Sequence, residues 1–82
     1  MLYRIKITSF ANDFGKKLSP EIKDAVKAAL KELAQNPNLG KELQEDLRGF
    51  RSYRIMRYRV IYKVDTLDKN IVIWAIGHRR DI

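Results

Sequence analysis

The sequence RIMRYRVIYKV, at residues 54–64, decides how this chain folds. It is rich in β-branched and aromatic residues, which favour strands over helices. Residues 53–64 are therefore predicted to be strand, either continuous or as a tight hairpin that turns near Met56 and Arg57. The rest of the chain is expected to pack around this segment.

Arginines recur at regular positions in the same segment. On an extended strand Arg57 and Arg59 point to one side and Tyr58 to the other, because successive side chains alternate. Gly77 ends the next apolar run and is expected to project three polar residues near the same edge of the sheet: His78, Arg79 and Arg80. One side of the sheet is therefore predicted to be basic.

The apolar run IVIWAI, at residues 71–76, follows a polar turn at residues 66–70. A strand that is apolar on both faces belongs inside a sheet and beneath a layer of helix. Residues 2–8 alternate apolar and polar side chains, the pattern of a strand with one buried face. These runs supply the remaining strands of the sheet.

Two helices are predicted between the first strand and the hairpin. Ser9 is a candidate N-cap for a short helix through Leu18. Ser19, followed by proline and an acid, starts a second helix that reaches about Gln35, where an Asn-Pro pair ends it. Residues 38–50 are interpreted as polar loop with one irregular helical turn.

The order β-α-α-β-β-β describes an α+β domain over residues 1–82. We expect a small antiparallel sheet with the two N-terminal helices packed on one face. At 82 residues the chain has room for a modest core but not for a deep cofactor pocket.

The net charge of the chain indicates which classes of partner it favours. Seventeen Lys and Arg against ten Asp and Glu give +7, which favours a polyanion, although charge also serves solubility alone. The absence of cysteine argues against a secreted disulfide scaffold and leaves no thiolate metal site. No apolar run is long enough to span a bilayer, so a cytoplasmic protein without membrane insertion is expected.

The arginines of the second half of the chain are the candidate binding residues. They outnumber the acids there, and a small domain that holds guanidinium groups rigidly usually places an anion between them. RNA phosphate is the leading hypothesis; the alternative for any one arginine is a carbonyl cap or an ion pair. The set comprises Arg48, Arg51, Arg54, Arg57, Arg59, Arg79 and Arg80.

His78 is the only histidine and the side chain best suited to proton transfer near neutral pH. A structural role or one as a hydrogen-bond donor is the alternative. It has no neighbouring ligands at metal-binding spacing, so neither a metal nor a cofactor is expected. Tyr58 is a core or edge aromatic unless it is exposed, when it can stack on a base.

The motifs SYRI at 52–55, RYRVIYKV at 57–64 and IGHRRDI at 76–82 resemble the RelE/ParE superfamily of bacterial and archaeal toxins, nearer to the RelE branch. The order of elements matches too, so the resemblance covers nearly the whole chain. It implies a metal-independent endoribonuclease that cuts mRNA in the ribosomal A site and is silenced by a cognate antitoxin.

The resemblance also implies roles for particular residues. By motif position Arg59 and Arg79 correspond to arginines that clamp the phosphate. Arg54 corresponds to a basic residue that helps to activate the 2′-OH or binds the scissile phosphate. The candidate catalytic residues are thus Arg54, Arg59, Arg79 and His78, and the candidate substrate-binding residues are Arg48, Arg51, Arg57, Tyr58 and Arg80.

The chain departs from the RelE pattern in three places. One is the hairpin, which is short and lacks the usual glycine. Met56 occupies the position of a second basic residue, with Arg57 next to it as a stand-in, and the sequence stops at Ile82 where many relatives continue with a tyrosine. Two alternatives therefore stay open: a ParE-like toxin that poisons DNA gyrase, and a basic module that binds RNA or antitoxin without efficient catalysis.

Overall fold

A computed structural model of the 82-residue chain describes residues 2–78 and 80. Five strands form one sheet in the order β1-β5-β4-β3-β2, in which β1 runs parallel to β5 and the other neighbours are antiparallel. The strands are β1 (Arg4–Ile7), β2 (Lys41–Glu42), β3 (Phe50–Ile55), β4 (Tyr58–Asp65) and β5 (Asn70–His78), and the helices are α1 (Ser9–Lys16) and α2 (Pro20–Gln35).

The predicted α+β class is confirmed and the β-α-α-β-β-β order fits approximately, with one correction and one addition. The prediction of an antiparallel sheet is wrong for β1, which runs parallel to β5, because β1 is linked to the hairpins through both helices and no tight turn forces the antiparallel direction. The two-residue strand β2 was not predicted, since Lys41 and Glu42 are exposed and carry no apolar alternation.

Short polar side chains fix where the helices begin. Thr8, and not Ser9 as predicted, caps α1: its Oγ1 accepts the N–H of Ala11 at 3.2 Å. Ser19 caps α2 as predicted, accepting the N–H of Ile22 at 3.4 Å, and Pro20 takes the first helical position. α1 is shorter than the expected helix through Leu18, which lies beyond its end.

Both helices cover one face of the sheet, and the core lies between the two layers. Leu18, Val26, Ala29 and Leu33 are buried on the helical side. The sheet contributes buried side chains from β3, β4 and β5: Ile55, Val60, Tyr62, Ile71, Ile73 and Ile76. Among residues 2–78 and 80, no helix covers the other face of the sheet, so that face is open to a ligand.

A two-residue turn joins β3 to β4, as the hairpin interpretation predicted. Ile55 pairs with Tyr58, which leaves Met56 and Arg57 as the turn. Met56 has a φ of 56°, in the left-handed region that costs a non-glycine residue about 1 kcal/mol. Because the turn is this short, it fixes the register of the whole hairpin.

One extra residue in β5 changes which side chains face the helices. Ile61 pairs with Ala75 but Tyr62 pairs with Ile73, so Trp74 is the inserted residue of a β-bulge. The hydroxyl of Thr8 donates to the carbonyl oxygen of Trp74 at 2.9 Å. The bulge therefore turns Trp74 to the open face and returns Ile76, two residues further on, to the core.

The segment between α2 and β3 is held by one buried phenol. Tyr62, which has no exposed surface, donates to the carbonyl oxygen of Pro37 at 2.6 Å and accepts the N–H of Gly40 at 2.9 Å. A Cβ on Gly40 would lie 2.5 Å from the Tyr62 oxygen, so only glycine fits there. This contact fixes where β2 begins.

Over residues 2–78 and 80, no helix is both long enough and apolar enough to cross a membrane.

Replacing Tyr62 with phenylalanine should destabilise the fold, because it leaves the Pro37 carbonyl and the Gly40 N–H without their buried partner. The expected loss is about 1 to 3 kcal/mol of unfolding free energy at pH 7, measured by urea denaturation. Tyr3→Phe, which removes a hydroxyl from a half-buried tyrosine before β1, is the control. An unchanged midpoint for Tyr62→Phe would contradict this account of the loop.

The difference in stability between wild type and Tyr62→Phe should depend on pH in a defined way. Burial raises the pKa of Tyr62 above its usual value of 10.0. The stabilisation from the protonated phenol is therefore complete below pH 10 and is lost as pH rises through the folded-state pKa. The difference between wild type and Tyr62→Phe should be constant below about pH 10 and shrink above it.

Candidate functional site

Arg54 and Arg59 lie directly opposite each other on β3 and β4. They are the second pair from the turn, so the hairpin register sets their guanidinium groups on the same face of the sheet. That face is the open one, because Val60 and Tyr62 point to the helices. Two like charges at paired positions repel each other, and an anion between them relieves the repulsion.

An open groove of about 520 Å³ includes this pair. It runs from Arg54 and Arg59 past Ser52 and Tyr53 to β2 and the segment after it, which contribute Lys41, Glu42, Leu43 and Gln44. Lys41 pairs with Ser52, so its ammonium group belongs to the open face as well. Three cationic residues thus line one groove, a suitable setting for a phosphodiester.

The other predicted arginines are distributed differently. Arg51 lies on the helical side of β3, where its Nη1 donates to the carbonyl oxygen of Gly40 at 2.7 Å and to that of Asn38 at 3.5 Å. Arg57 sits in the turn and not on β4, so it does not share the alternation of Arg59. Arg48 is exposed in the loop before β3. The carbonyl-cap alternative therefore applies to Arg51.

Tyr53 lines the groove but is engaged with helix α2. Its hydroxyl donates to Glu32 Oε2 at 3.4 Å. Burial, followed by the charge of Glu32 and this hydrogen bond, raises the pKa of Tyr53. The phenol therefore stays protonated at neutral pH and ties the base of the groove to α2.

His78 is on the other side of the sheet from the arginine pair. It pairs with Tyr58, and the two rings meet edge to face with centroids 5.7 Å apart. Tyr58 in turn meets Phe14 of α1 at 6.3 Å. The Nδ1 atom of His78 accepts the backbone N–H of Arg80 at 3.3 Å, so the ring helps to hold the backbone at Arg80.

The structure thus brings Arg54 and Arg59 together and separates them from His78 and Tyr58. Arg80 is exposed. The predicted role of Arg79 falls outside the described residues, as does the end of the chain at Ile82. Sequence reasoning missed Lys41 and Gln44, because nothing in the polar segment 38–50 indicated that a short strand would return to the hairpin.

In the described part of the chain, no three His, Cys, Asp or Glu side chains cluster in the way that would hold a metal ion.

A separate cleft of about 240 Å³ opens between the two helices. It is mostly apolar, with Ala11, Leu18, Val26, Leu30 and Ile76 among its walls. Its rim carries three lysines: Lys16, Lys23 and Lys27. An amphipathic segment with acidic residues matches such a cleft in shape and charge.

Both the sequence and the fold of this chain are similar to those of known proteins. A family model described as the ParE toxin of the type II toxin-antitoxin system, parDE, matches residues 4–82. The chain is a toxin of the RelE/ParE superfamily. The resemblance carried by its arginine and tyrosine motifs is thereby confirmed.

Two individual relatives of the toxin come from Mycobacterium tuberculosis. Toxin RelG of Mycobacterium tuberculosis (strain ATCC 25618 / H37Rv) is 36% identical over 84 residues, covering 100% of this toxin and 97% of the relative. The RelBE2 toxin-antitoxin complex of Mycobacterium tuberculosis contains a chain with a TM-score of 0.88 and 33% identity, covering 96% of this toxin and 100% of that chain.

The archaeal RelE-RelB complex from Pyrococcus horikoshii OT3 contains a chain with a TM-score of 0.81 and 26% identity, with 100% of both chains covered. These similarities support the α+β fold with two helices on a mixed sheet.

Removing one arginine of the pair should stabilise the free toxin. Arg54→Gln relieves the repulsion across β3 and β4 and is expected to raise the unfolding free energy by about 0.2 to 1 kcal/mol at low salt. The gain should shrink in high salt, which screens exposed charges. Arg48→Gln in the loop is the matched control, and a salt-independent loss of stability in Arg54→Gln would contradict the pairing argument.

Proposed function

We propose that this toxin is a ribosome-dependent endoribonuclease that cleaves mRNA in the A site without a metal ion. The observation that carries the proposal is the pair of guanidinium groups, Arg54 and Arg59, on adjacent strands of one open groove. The 36% identity with Toxin RelG also supports a RelE-type activity.

The reaction requires from the protein mainly positive charge and a fixed geometry around the phosphate. The ribose 2′-OH attacks the adjacent phosphorus, the bond to the 5′-oxygen of the next nucleotide breaks, and a 2′,3′-cyclic phosphate remains. The proton leaves the 2′-OH and a proton reaches the 5′-oxygen. Negative charge builds on the non-bridging oxygens in the transition state, and preorganised guanidinium groups stabilise it.

Arg59 and Arg54 hold the scissile phosphate in this proposal, and Lys41 adds a third charge at the groove wall. Arg79 joins the clamp by its motif position. His78 was predicted to transfer protons, and that role stays a prediction. Its contacts with Tyr58 and the Arg80 N–H favour a positioning role, in which it holds the backbone at Arg80.

A cognate antitoxin is the proposed protein partner. RelE-branch relatives were solved as toxin-antitoxin complexes, with RelB named as the partner of the Pyrococcus horikoshii protein. The lysine-rimmed apolar cleft between α1 and α2 supplies a surface for such a partner. Ribosome and mRNA are the proposed targets, which sets the site of action in the cytoplasm.

Inhibition of DNA gyrase is the second candidate, because the family model that matches is that of the ParE toxin. A gyrase inhibitor needs no phosphate clamp, since it performs no chemistry on nucleic acid itself. The two functions separate in one pair of assays: mapped mRNA ends on programmed ribosomes, and gyrase-dependent double-strand breaks in plasmid DNA. Breaks without mRNA cleavage would overturn the nuclease proposal.

Arg59→Ala should reduce cleavage of A-site mRNA on programmed ribosomes by about 100-fold or more, the effect of losing one preorganised charge partner in comparable sites. Single-turnover rates with excess toxin measure it. Arg54→Ala should also reduce the rate.

Lys31→Ala removes one exposed charge from α2, and it should cleave at the wild-type rate. Circular dichroism establishes that each variant is folded. Near-normal cleavage by folded Arg59→Ala would remove the basis of the proposed site.

His78→Gln separates positioning from proton transfer. If His78 holds the chain, the variant cleaves more slowly but keeps the pH profile of the wild type. If the imidazole transfers a proton, the variant should lose the pH dependence that the imidazole confers on the wild-type rate. Measuring the rate from pH 5 to 9 in both proteins decides between the roles.

A further inference from the structure

The open face of the sheet carries an aromatic pair as well as the arginine pair. Phe50 is four residues from Arg54 along β3, so both side chains point to the same face. The ring of Trp74 meets that of Phe50 edge to face, with centroids 5.9 Å apart, and 48% of Trp74 is exposed. A half-exposed tryptophan on a basic face is a place where a base can stack.

The β-bulge in β5 presents this tryptophan on the open face of the sheet. Trp74 is the inserted residue of the β5 bulge, and its carbonyl oxygen is satisfied by the Thr8 hydroxyl at 2.9 Å. Bulges often re-aim a side chain near a functional site. Lys63 also lies beside the pair, with its Nζ 5.3 Å from the centre of the Phe50 ring.

Charge on this face favours a polyanion. By strand alternation and register, the cations that belong to it are Arg4, Lys6, Lys41, Arg54, Arg59 and Lys63. Among strand residues of the same face, Asp65 is the acid, and its Oδ1 accepts the N–H groups of Leu67 and Asp68 in the following turn. The face therefore attracts phosphate along its length.

The aromatic pair lies close enough to the groove of Arg54 and Arg59 for one RNA strand to reach both. Lys63 is four residues beyond Arg59 on β4, which is about 13 Å at 3.3 Å per residue. A shallow hollow of about 410 Å³ lies there, with Lys63, Leu67, Val72 and Trp74 among its walls. A strand whose phosphate lies between Arg54 and Arg59 can therefore place a neighbouring unpaired base against Trp74.

We propose that Trp74, supported by Phe50 and Lys63, is a stacking site for an unpaired base of the RNA strand whose phosphate is bound by Arg54 and Arg59. The inference rests on the proposed function and adds a second contact to it. Stacking tolerates any base, because every base presents a π-face. The site therefore contributes affinity and alignment of the strand more than sequence choice.

Trp74 is the only tryptophan of the chain, so its fluorescence reports directly on the site. The probe is a fluorescein-labelled single-stranded oligoribonucleotide with 2′-O-methyl groups, which cannot be cleaved by 2′-OH attack. Binding is followed by fluorescein anisotropy, and stacking by quenching of Trp74 with the unlabelled oligomer. An oligomer of the same length with abasic sites keeps the phosphates and removes the bases.

The wild type should bind the intact oligomer with strong quenching, and bind the abasic oligomer more weakly with little quenching. Trp74→Leu should lower affinity for the intact oligomer about tenfold, the loss expected for one stacked base. Trp74→Phe should restore most of it. Phe10→Leu, at an exposed aromatic of α1 on the helical layer, is the matched control and should bind as the wild type does.

Two failures are distinguishable. If anisotropy shows saturable binding that Arg54→Ala and Arg59→Ala weaken, while Trp74 emission is unchanged and Trp74→Leu binds normally, the stacking site is overturned and the phosphate groove stands. If the wild type does not bind the oligomer at low salt, RNA binding by the free toxin is refuted and the stacking site with it. Cleavage assays on ribosomes then test the nuclease proposal separately.

Discussion

The register of the β3–β4 hairpin is the constraint on which the site depends. A two-residue turn with a strained Met56 pairs Ile55 with Tyr58 and therefore Arg54 with Arg59. A register shift of one residue would send one arginine into the helical layer and pull a core side chain into water. The burial of Val60 and Tyr62 therefore holds two like charges opposite each other despite their repulsion.

The sheet divides the work of the toxin between its two faces. The helical face holds the core, the tyrosine that anchors the loop through Pro37 and Gly40, and the ring contact between His78 and Tyr58. The open face carries the cations of the groove. Because the core interactions occur on one side, the charged side can vary without unfolding the molecule.

Most of the architecture could be predicted from local patterns. Alternation gave the hairpin and β1, and the Ser-Pro-Glu and Asn-Pro sequences marked the ends of α2. The parallel direction of β1 and the strand β2 could not be predicted, since both depend on contacts between distant segments. The site was predicted in part: Arg54 and Arg59 meet, whereas Arg51 caps carbonyl oxygens that only the folded loop brings to it.

The side on which His78 lies was also beyond the sequence, because it depends on the bulge at Trp74. This feature has a consequence for how the superfamily can diverge. Loops at either end of β5 can gain or lose residues freely, but a single insertion or deletion between Ile73 and His78 would exchange inside and outside for everything downstream. We expect length changes within this strand to be tolerated only in pairs.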